Sequence, residues 1–262
     1  MSETVGVVGA GRMGLPIIGH LVRSGFRTLA SDIDPRKQVE VEKRGAVWQP
    51  DLTGQCDILL VCVGFDREVV ELLERGLKPR ANGIVAVLST VHPKTVQELA
   101  RKAVGMHVID STVCRGGEAA DKGALLSFVA GTADVVARVT PVLRAYSSDV
   151  VHTGDVGTAQ VAKAVNNLIL WACLVADHEG LALAKRYGVD VEKLRQALLR
   201  SSATNDALEK WGRQTMAWAD DDMAIVAAMA AEQGLALPQA DVTREICRSL
   251  KPRRYKLDDY GV

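Results

Sequence analysis

The feature that most constrains this chain is a change of hydrophobic period partway along it. Up to about residue 153, short β-branched runs (TVGVV, RTLAS, DILLVCV, GIVAVLS, HVID, LLSFVAG and DVVHTG) alternate with segments of helical periodicity. Strands separated by helices cannot pair as hairpins, so the alternation predicts a parallel sheet covered by helices on both faces. After Gly157 no strand pattern recurs. Thr158 to Arg186, closed by Gly188, reads as a single helix of about 28 residues, roughly 42 Å at 1.5 Å per residue. Further helices are expected near 190–200, 203–217, 222–233 and 239–250. The fold class is therefore α/β followed by all-α. The expected domains are residues 1–154 and 155–262, divided at the stretch TGDVG.

Composition narrows the function. Lysine plus arginine balance aspartate plus glutamate at 32 each, so no net field draws the chain toward nucleic acid or anionic lipid. The mixed-charge tail KPRRYKLDDYGV reads as a solvated end. Five cysteines (Cys56, Cys62, Cys114, Cys173, Cys247) show no CxxC spacing and sit mostly in apolar runs, which fits reduced thiols in the cytoplasm. No metal site is expected. MSETVGVVGAG enters a strand with no basic leader, and the longest unbroken apolar run, Leu168 to Ala176, has nine residues. Neither a signal peptide nor a membrane span is expected.

The first chemical motif is Gly9-Ala10-Gly11-Arg12-Met13-Gly14, placed between the first strand and the first helix. That context makes a GxGxxG pattern a dinucleotide fingerprint of the Rossmann type. The first glycine turns the chain, the second admits a pyrophosphate, the third lets helix pack on strand, and the helix N-terminus faces the anion. Asp32 stands eighteen residues past Gly14 at the end of the second strand. A carboxylate there accepts ribose hydroxyls and repels a 2′-phosphate, which favours NAD over NADP. Arg36 and Lys37 would reach such a phosphate only if Asp32 turned away. Later strand ends, VCVGFD with Val63 and Gly64 and LSTVHPKT with Thr90, are expected along the ribose and nicotinamide side of the cofactor.

DSTVCRGG, Asp110 to Gly117, places a glycine pair at another strand end. The amides of Gly116 and Gly117 can hold a carboxylate, Arg115 can add a guanidinium fork, and Cys114 sits beside them as an inert, half-buried thiol. GTAQVAKAVNNL then sets Lys163, Asn166 and Asn167 on adjoining positions of an otherwise apolar helix. Such a trio is costly unless it faces a polar cavity. Burial disfavours the charged form of an amine, so a lysine there can exchange a proton near neutral pH. Hydrophobic walls for a small substrate could come from Trp211 or Trp218, residues that would serve a core equally well.

Taken together, VGVVGAGRMGLPIIGHL, STVHPKTVQELA, DSTVCRGG with GALLSFVAG, GTAQVAKAVNNL and DDDMAIVAAMAAEQGLALP resemble the β-hydroxyacid dehydrogenases. That group includes 3-hydroxyisobutyrate dehydrogenase and tartronate semialdehyde reductase, and the likeness extends over most of the chain. The family's GxGxxxKxxNN helix falls on Gly157, Lys163, Asn166 and Asn167. The resemblance implies that Lys163 is the acid/base and that Asn167 helps bind substrate. It further implies a Rossmann-type domain followed by helices that form dimers or tetramers, with a small hydroxy acid as substrate and a nicotinamide dinucleotide as cofactor.

The departures are specific. The family's substrate-loop serine is Cys114 here and the next glycine is Arg115, which points to an unusual or more acidic substrate. The lysine of the family's KD motif corresponds to Asp221, followed by Asp222. Asp220 to Asp222 also suit the N-terminus of the following helix. The carboxyl end is shorter than is usual in the family. Two other readings share the architecture: a catalytically silent NAD-binding protein, and an imine reductase, a class that usually lacks a lysine at the position of Lys163.

Overall fold

The computed structural model describes residues 3–213, 216–250 and 255–260. They form two compact units, Met1–Lys163 and Ala164–Val262.

In the first unit, a six-stranded parallel sheet contains β1 (Thr4–Val8), β2 (Arg27–Ser31), β3 (Val47–Trp48), β4 (Ile58–Val61), β5 (Gly83–Val87) and β6 (Met106–Asp110), in the order β3-β2-β1-β4-β5-β6. Its inner strands β1, β4 and β5 are buried throughout, so their side chains divide by parity. Val5, Val7, Ile58, Leu60, Ile84 and Ala86 join one core with Ile17, Ile18 and Leu21 of α1 (Gly14–Arg23). Val8, Leu59, Val61, Val85 and Val87 join the other with Val69 of α3 (Asp66–Glu74) and Val96 of α4 (Pro93–Lys102). This is why the strands read as continuous apolar runs rather than alternating ones. Strand order reverses between β1 and β4, whose paired ends are Val8 and Val61. The crevice beyond those carboxyl ends is where such sheets bind ligands.

The single sheet suggested by the alternating pattern is in fact two. After β6 the chain makes β7 (Val113–Cys114), α5 (Gly116–Lys122), β8 (Leu125–Ala130), α6 (Ala133–Arg144) and β9 (Ser147–Gly154). β7, β8 and β9 form a separate three-stranded sheet in which β7 runs antiparallel to β8. The two-residue strands β3 and β7 are too short to show a period, which is why the pattern does not reveal them. α2 (Gln38–Lys43) also belongs to this unit.

α7 runs from Thr158 to Arg186, the bounds expected, and Gly188 beyond it takes a left-handed φ of 76°. The second unit continues with α8 (Val191–Leu198), α9 (Asp206–Glu209), α10 (Ala219–Glu232) and α11 (Pro238–Leu250). The helix anticipated over 203–217 reduces to α9. Asn205 caps it by accepting from the amide of Leu208, and Gly212 is left-handed at φ 83°. Residues 214–215 of that span, and Lys251 to Arg254 of the charged tail, lie outside the described residues. Ala164, Trp171, Leu174 and Val175 of α7 pack with Met223 and Val226 of α10 and with Cys247 and Leu250 of α11. By length and composition α7 could cross a bilayer, with a mean hydropathy of 1.4 over its most apolar 18 residues. It nevertheless carries Asn167 and His178 buried, as a core helix does.

Candidate active site

The glycine loop is fixed by backbone contact. A Cβ on Gly9, which takes φ 97°, would overlap the carbonyl of Cys62, and one on Gly14 would overlap the carbonyl of Gly9. Each position therefore requires glycine. Above Gly11 nothing lies within 4 Å of an added Cβ, so this glycine opens a space over the backbone beside the start of α1. That cradle fits a pyrophosphate. Ala10 and Gly14 are buried, Met13 is half-buried, and Gly11 and Arg12 are exposed.

Asp32 is held in place. Its Oδ2 accepts from the amide of Ala10 at 2.6 Å and its Oδ1 from that of Asp34 at 2.9 Å, which ties the acidic residue to the glycine loop. The two nearby cations are engaged elsewhere: Arg36 makes a forked pair with Asp34 at 2.8 and 2.9 Å, and Lys37 pairs with Glu40 at 3.0 Å. That forked pair holds the Asp34 carboxyl below the usual carboxylate range.

The strand ends past β4 and β5 are wired together by residues that sequence pattern did not single out. The amide of Val63 donates to Ser89 Oγ at 2.9 Å, while the amide of Gly64 donates to Glu68. Buried Gln160, on the first turn of α7, accepts from the amide of Val91 at 3.0 Å and donates to the carbonyl of Ser89 at 2.8 Å. Thr90 sits half-buried between these braced residues. A buried amide on an apolar helix was the available signal for Gln160, since such a group must find partners.

Asp110 explains how α7 is placed. Fully buried at the end of β6, it accepts from the amides of Gly157 at 2.8 Å and Gln160 at 2.9 Å. It thus satisfies two of the donors that a helix start leaves open. Burial raises its pKa above the ordinary value, against the pull of those amides.

One and a half turns along α7, Lys163 Nζ donates to the carbonyl of Val113 at 2.8 Å and lies 3.9 Å from Cys114 Sγ. The helix lysine and the DSTVCRGG loop therefore meet within the first unit. Cys114 is buried, Gly116 exposed and Gly117 half-buried. Arg115 adopts a left-handed φ of 83°, rare for a residue with a side chain. Its guanidinium lies 2.7 Å from Asp149 and donates to Ser148 Oγ and to the carbonyl of Ala124. Along α7, Asn167 follows Lys163 by one turn and is buried, and the side-chain amide of half-buried Asn166 donates to Asn167 Oδ1 at 3.0 Å.

In the second unit Asp220 pairs with Arg244 and Arg248, and Asp222 accepts from Trp171 Nε1 at 3.0 Å, all near the start of α10. Asp221 is exposed in the same first turn. Trp211 packs against His178 and Tyr255 at ring distances of 4.5 and 4.9 Å, a core role, whereas Trp218 is half exposed. All five cysteines are free thiols, and among the described residues no group of His, Cys, Asp and Glu could hold a metal ion.

A parallel sheet in this order, with a glycine cradle at its switch point and a fixed acidic residue after β2, defines a nicotinamide-dinucleotide-binding protein. Residues 4–154 match the family described as the NAD binding domain of 6-phosphogluconate dehydrogenase. Residues 157–260 match that described as the NAD-binding domain of NADP-dependent 3-hydroxyisobutyrate dehydrogenase. The 3-hydroxyisobutyrate dehydrogenase of Pseudomonas aeruginosa is 30% identical over 213 residues, covering 78% of this chain and 72% of that protein. Among solved structures, the Mycobacterium tuberculosis 3-hydroxyisobutyrate dehydrogenase determined with L-serine superposes with a TM-score of 0.87 at 20% identity, covering 97% and 95% of the two chains. An imine reductase variant from Myxococcus stipitatus in complex with NAD+ gives a TM-score of 0.67 at 21% identity, covering 99% and 97%. The chain belongs to the β-hydroxyacid dehydrogenase family, and its cofactor is NAD or NADP.

Proposed function

We propose that this protein catalyses reversible hydride transfer between NAD and the carbinol carbon of a small β-hydroxy acid, with Lys163 as the acid/base. The observation that carries the reading is the ammonium of Lys163 at the carbonyl of Val113 and beside Cys114. It puts a proton carrier beside the segment whose glycine pair can receive a carboxylate. When bound, the nicotinamide ring supplies the hydride acceptor. With its amine neutral, Lys163 Nζ would take the hydroxyl proton as the carbonyl forms, becoming the ammonium, and the ammonium would return that proton in the reverse direction. The amides of Gly116 and Gly117 fix the acid, and positioning of this kind provides a large share of the rate. Arg115, turned to Asp149, shapes the loop through its backbone. The glycine loop, Asp32, Val63, Gly64 and Thr90 hold the dinucleotide. The pinned carboxylate of Asp32, with Arg36 and Lys37 committed to other acids, supports NAD over NADP.

Residues 1–154 act in this reading as the dinucleotide domain and 155–262 as the substrate and oligomerisation domain of a cytoplasmic enzyme. Val165 and Ile169, 48% and 58% exposed and one turn apart on α7, support self-association through the helices. The decisive experiment measures NADH formation, with NADP in parallel, across 3-hydroxy acids and short 2-hydroxy acids for wild type and Lys163→Ala. Turnover that falls about a hundredfold or more in the variant supports the reading. Dinucleotide binding with no turnover by either protein would replace it with a silent binder. In a parallel assay of NADH and NADPH consumption with a cyclic imine, turnover there and none with the acids would replace it with an imine reductase.

A further inference from the structure

Arg12 occupies an x position of the GxGxxG pattern, and its exposed side chain is nonetheless held by a partner. It reaches 109 residues along the chain to Asp121 on α5, donating Nη1 to Oδ1 at 2.9 Å and Nη2 to Oδ2 at 2.7 Å. This parallel two-bond fork is the geometry that fixes both partners in orientation as well as distance. The same guanidinium lies flat on Gly117: an added Cβ there would overlap Nε, Cζ and Nη2 together. A side chain at Gly117 would therefore displace the Arg12 guanidinium from its place over the backbone. At the other end of α1, His20 Nε2 lies 3.0 Å from the carbonyl of Ala120 and 3.2 Å from that of Asp121, and its ring fills the space beside Gly123. The helix that opens the dinucleotide cradle thus grips α5 at both ends, and the grip nearer the cradle seizes the second glycine of the DSTVCRGG loop.

We propose that Arg12 is a positioning residue that transmits dinucleotide binding to the Gly116–Gly117 loop, through its fork to Asp121 and its cover of Gly117, so that the cofactor orders the site for the hydroxy acid. The substrate half of this statement rests on the function proposed above. A free arginine beside a pyrophosphate cradle would act as a simple counter-charge, but Asp121 already neutralises this one. Arg12 holds the Asp121 carboxyl below the usual carboxylate range, so the pair is charged on both sides at neutral pH. The fork is exposed on both sides and so is weakened by salt. The coupling should fade as ionic strength rises.

The test is amide hydrogen exchange with and without NAD, at low and high salt, in wild type, Asp121→Asn, Arg12→Ala and Arg12→Lys. In wild type, NAD should slow exchange both in residues 9–14 and in residues 116–122. In Asp121→Asn, with the dinucleotide Kd within about threefold of wild type, protection should remain at 9–14 and be lost at 116–122. Arg12→Lys, which keeps charge but cannot fork or stack, should fail as Arg12→Ala does. In turnover the Asp121→Asn change should raise KM for the acid at least about tenfold and leave kcat within about threefold. Protection of 116–122 by NAD that survives both Arg12→Ala and Asp121→Asn overturns the proposal, and so does its absence in wild type. Because exchange is read without turnover, a wild type that oxidises no hydroxy acid would sink the dehydrogenase reading and leave this result standing.

Discussion

The ammonium of Lys163 donates to the carbonyl of Val113 at 2.8 Å, with the thiol of Cys114 3.9 Å away. This hydrogen bond fixes Nζ against the Val113–Cys114 strand, whereas the thiol is a weak partner at that range. Cys114→Ser supplies the hydroxyl that the family resemblance calls for. A hydroxyl hydrogen bond contributes about 1 kcal/mol net, roughly a fivefold effect on an equilibrium. We expect KM for the acid to fall severalfold while kcat changes by less than about threefold. An unchanged or raised KM in steady-state kinetics would show that the loop position does not meet the substrate.

The carboxylate of Asp32 accepts from the amides of Ala10 and Asp34, so its negative charge is held beside the glycine loop. Asp32→Asn preserves an acceptor for one amide and removes the charge that repels a 2′-phosphate. The ratio of kcat/KM with NAD to that with NADP should drop by about tenfold or more, corresponding to about 1.4 kcal/mol of discrimination. If the ratio is unmoved, cofactor choice is set by other residues.

How much of this was legible in the sequence depends on the range over which each signal acts. The glycine loop, the strand runs and the bounds of α7 are local, and the period of the pattern locates them. The division of the sheet after β6 is not local: β7 has two residues and pairs antiparallel with a strand eleven positions on, which no period records. Arg12, Arg115 and Gln160 show the same limit from the side-chain end. Each was placed on the right loop or helix, but its partners, Asp121, Asp149 and the Ser89 carbonyl, are brought to it only by the fold.

Arg115 provides a test of backbone strain. A left-handed conformation costs a residue with a Cβ about 1–2 kcal/mol, and the pairing with Asp149 and Ser148 offsets part of that. Arg115→Ala loses the pairing and keeps the strain, whereas Arg115→Gly loses both. The glycine variant should exceed the alanine variant in stability by about 1 kcal/mol, despite the extra freedom of unfolded glycine. Urea midpoints at equal m-values measure the difference, and alanine equal to or above glycine would mean that the loop relaxes out of the left-handed region.

His178 predicts how stability responds to acid. It is buried on α7, and the geometry fixes its neutral form: Nδ1 donates to the carbonyl of Leu174 at 2.7 Å while Nε2 accepts from the amide of Tyr255 at 2.9 Å. A proton on Nε2 would abolish the second bond and charge a ring that stacks on Tyr255 and packs tilted against Trp211. Burial accordingly lowers its pKa below the ordinary value. With the folded value depressed, the unfolded chain binds the proton more readily, so stability rises with pH below the unfolded pKa of about 6.5. The contribution is complete above that pH and is lost as pH falls toward the folded value, at up to about 1.4 kcal/mol per pH unit. His178→Gln should be less stable than wild type at pH 8, and the gap should narrow between pH 6.5 and 5. A gap that stays constant over that range, in urea unfolding followed by circular dichroism, would show that His178 is protonated in the folded state or that the segment around Tyr255 opens without cost.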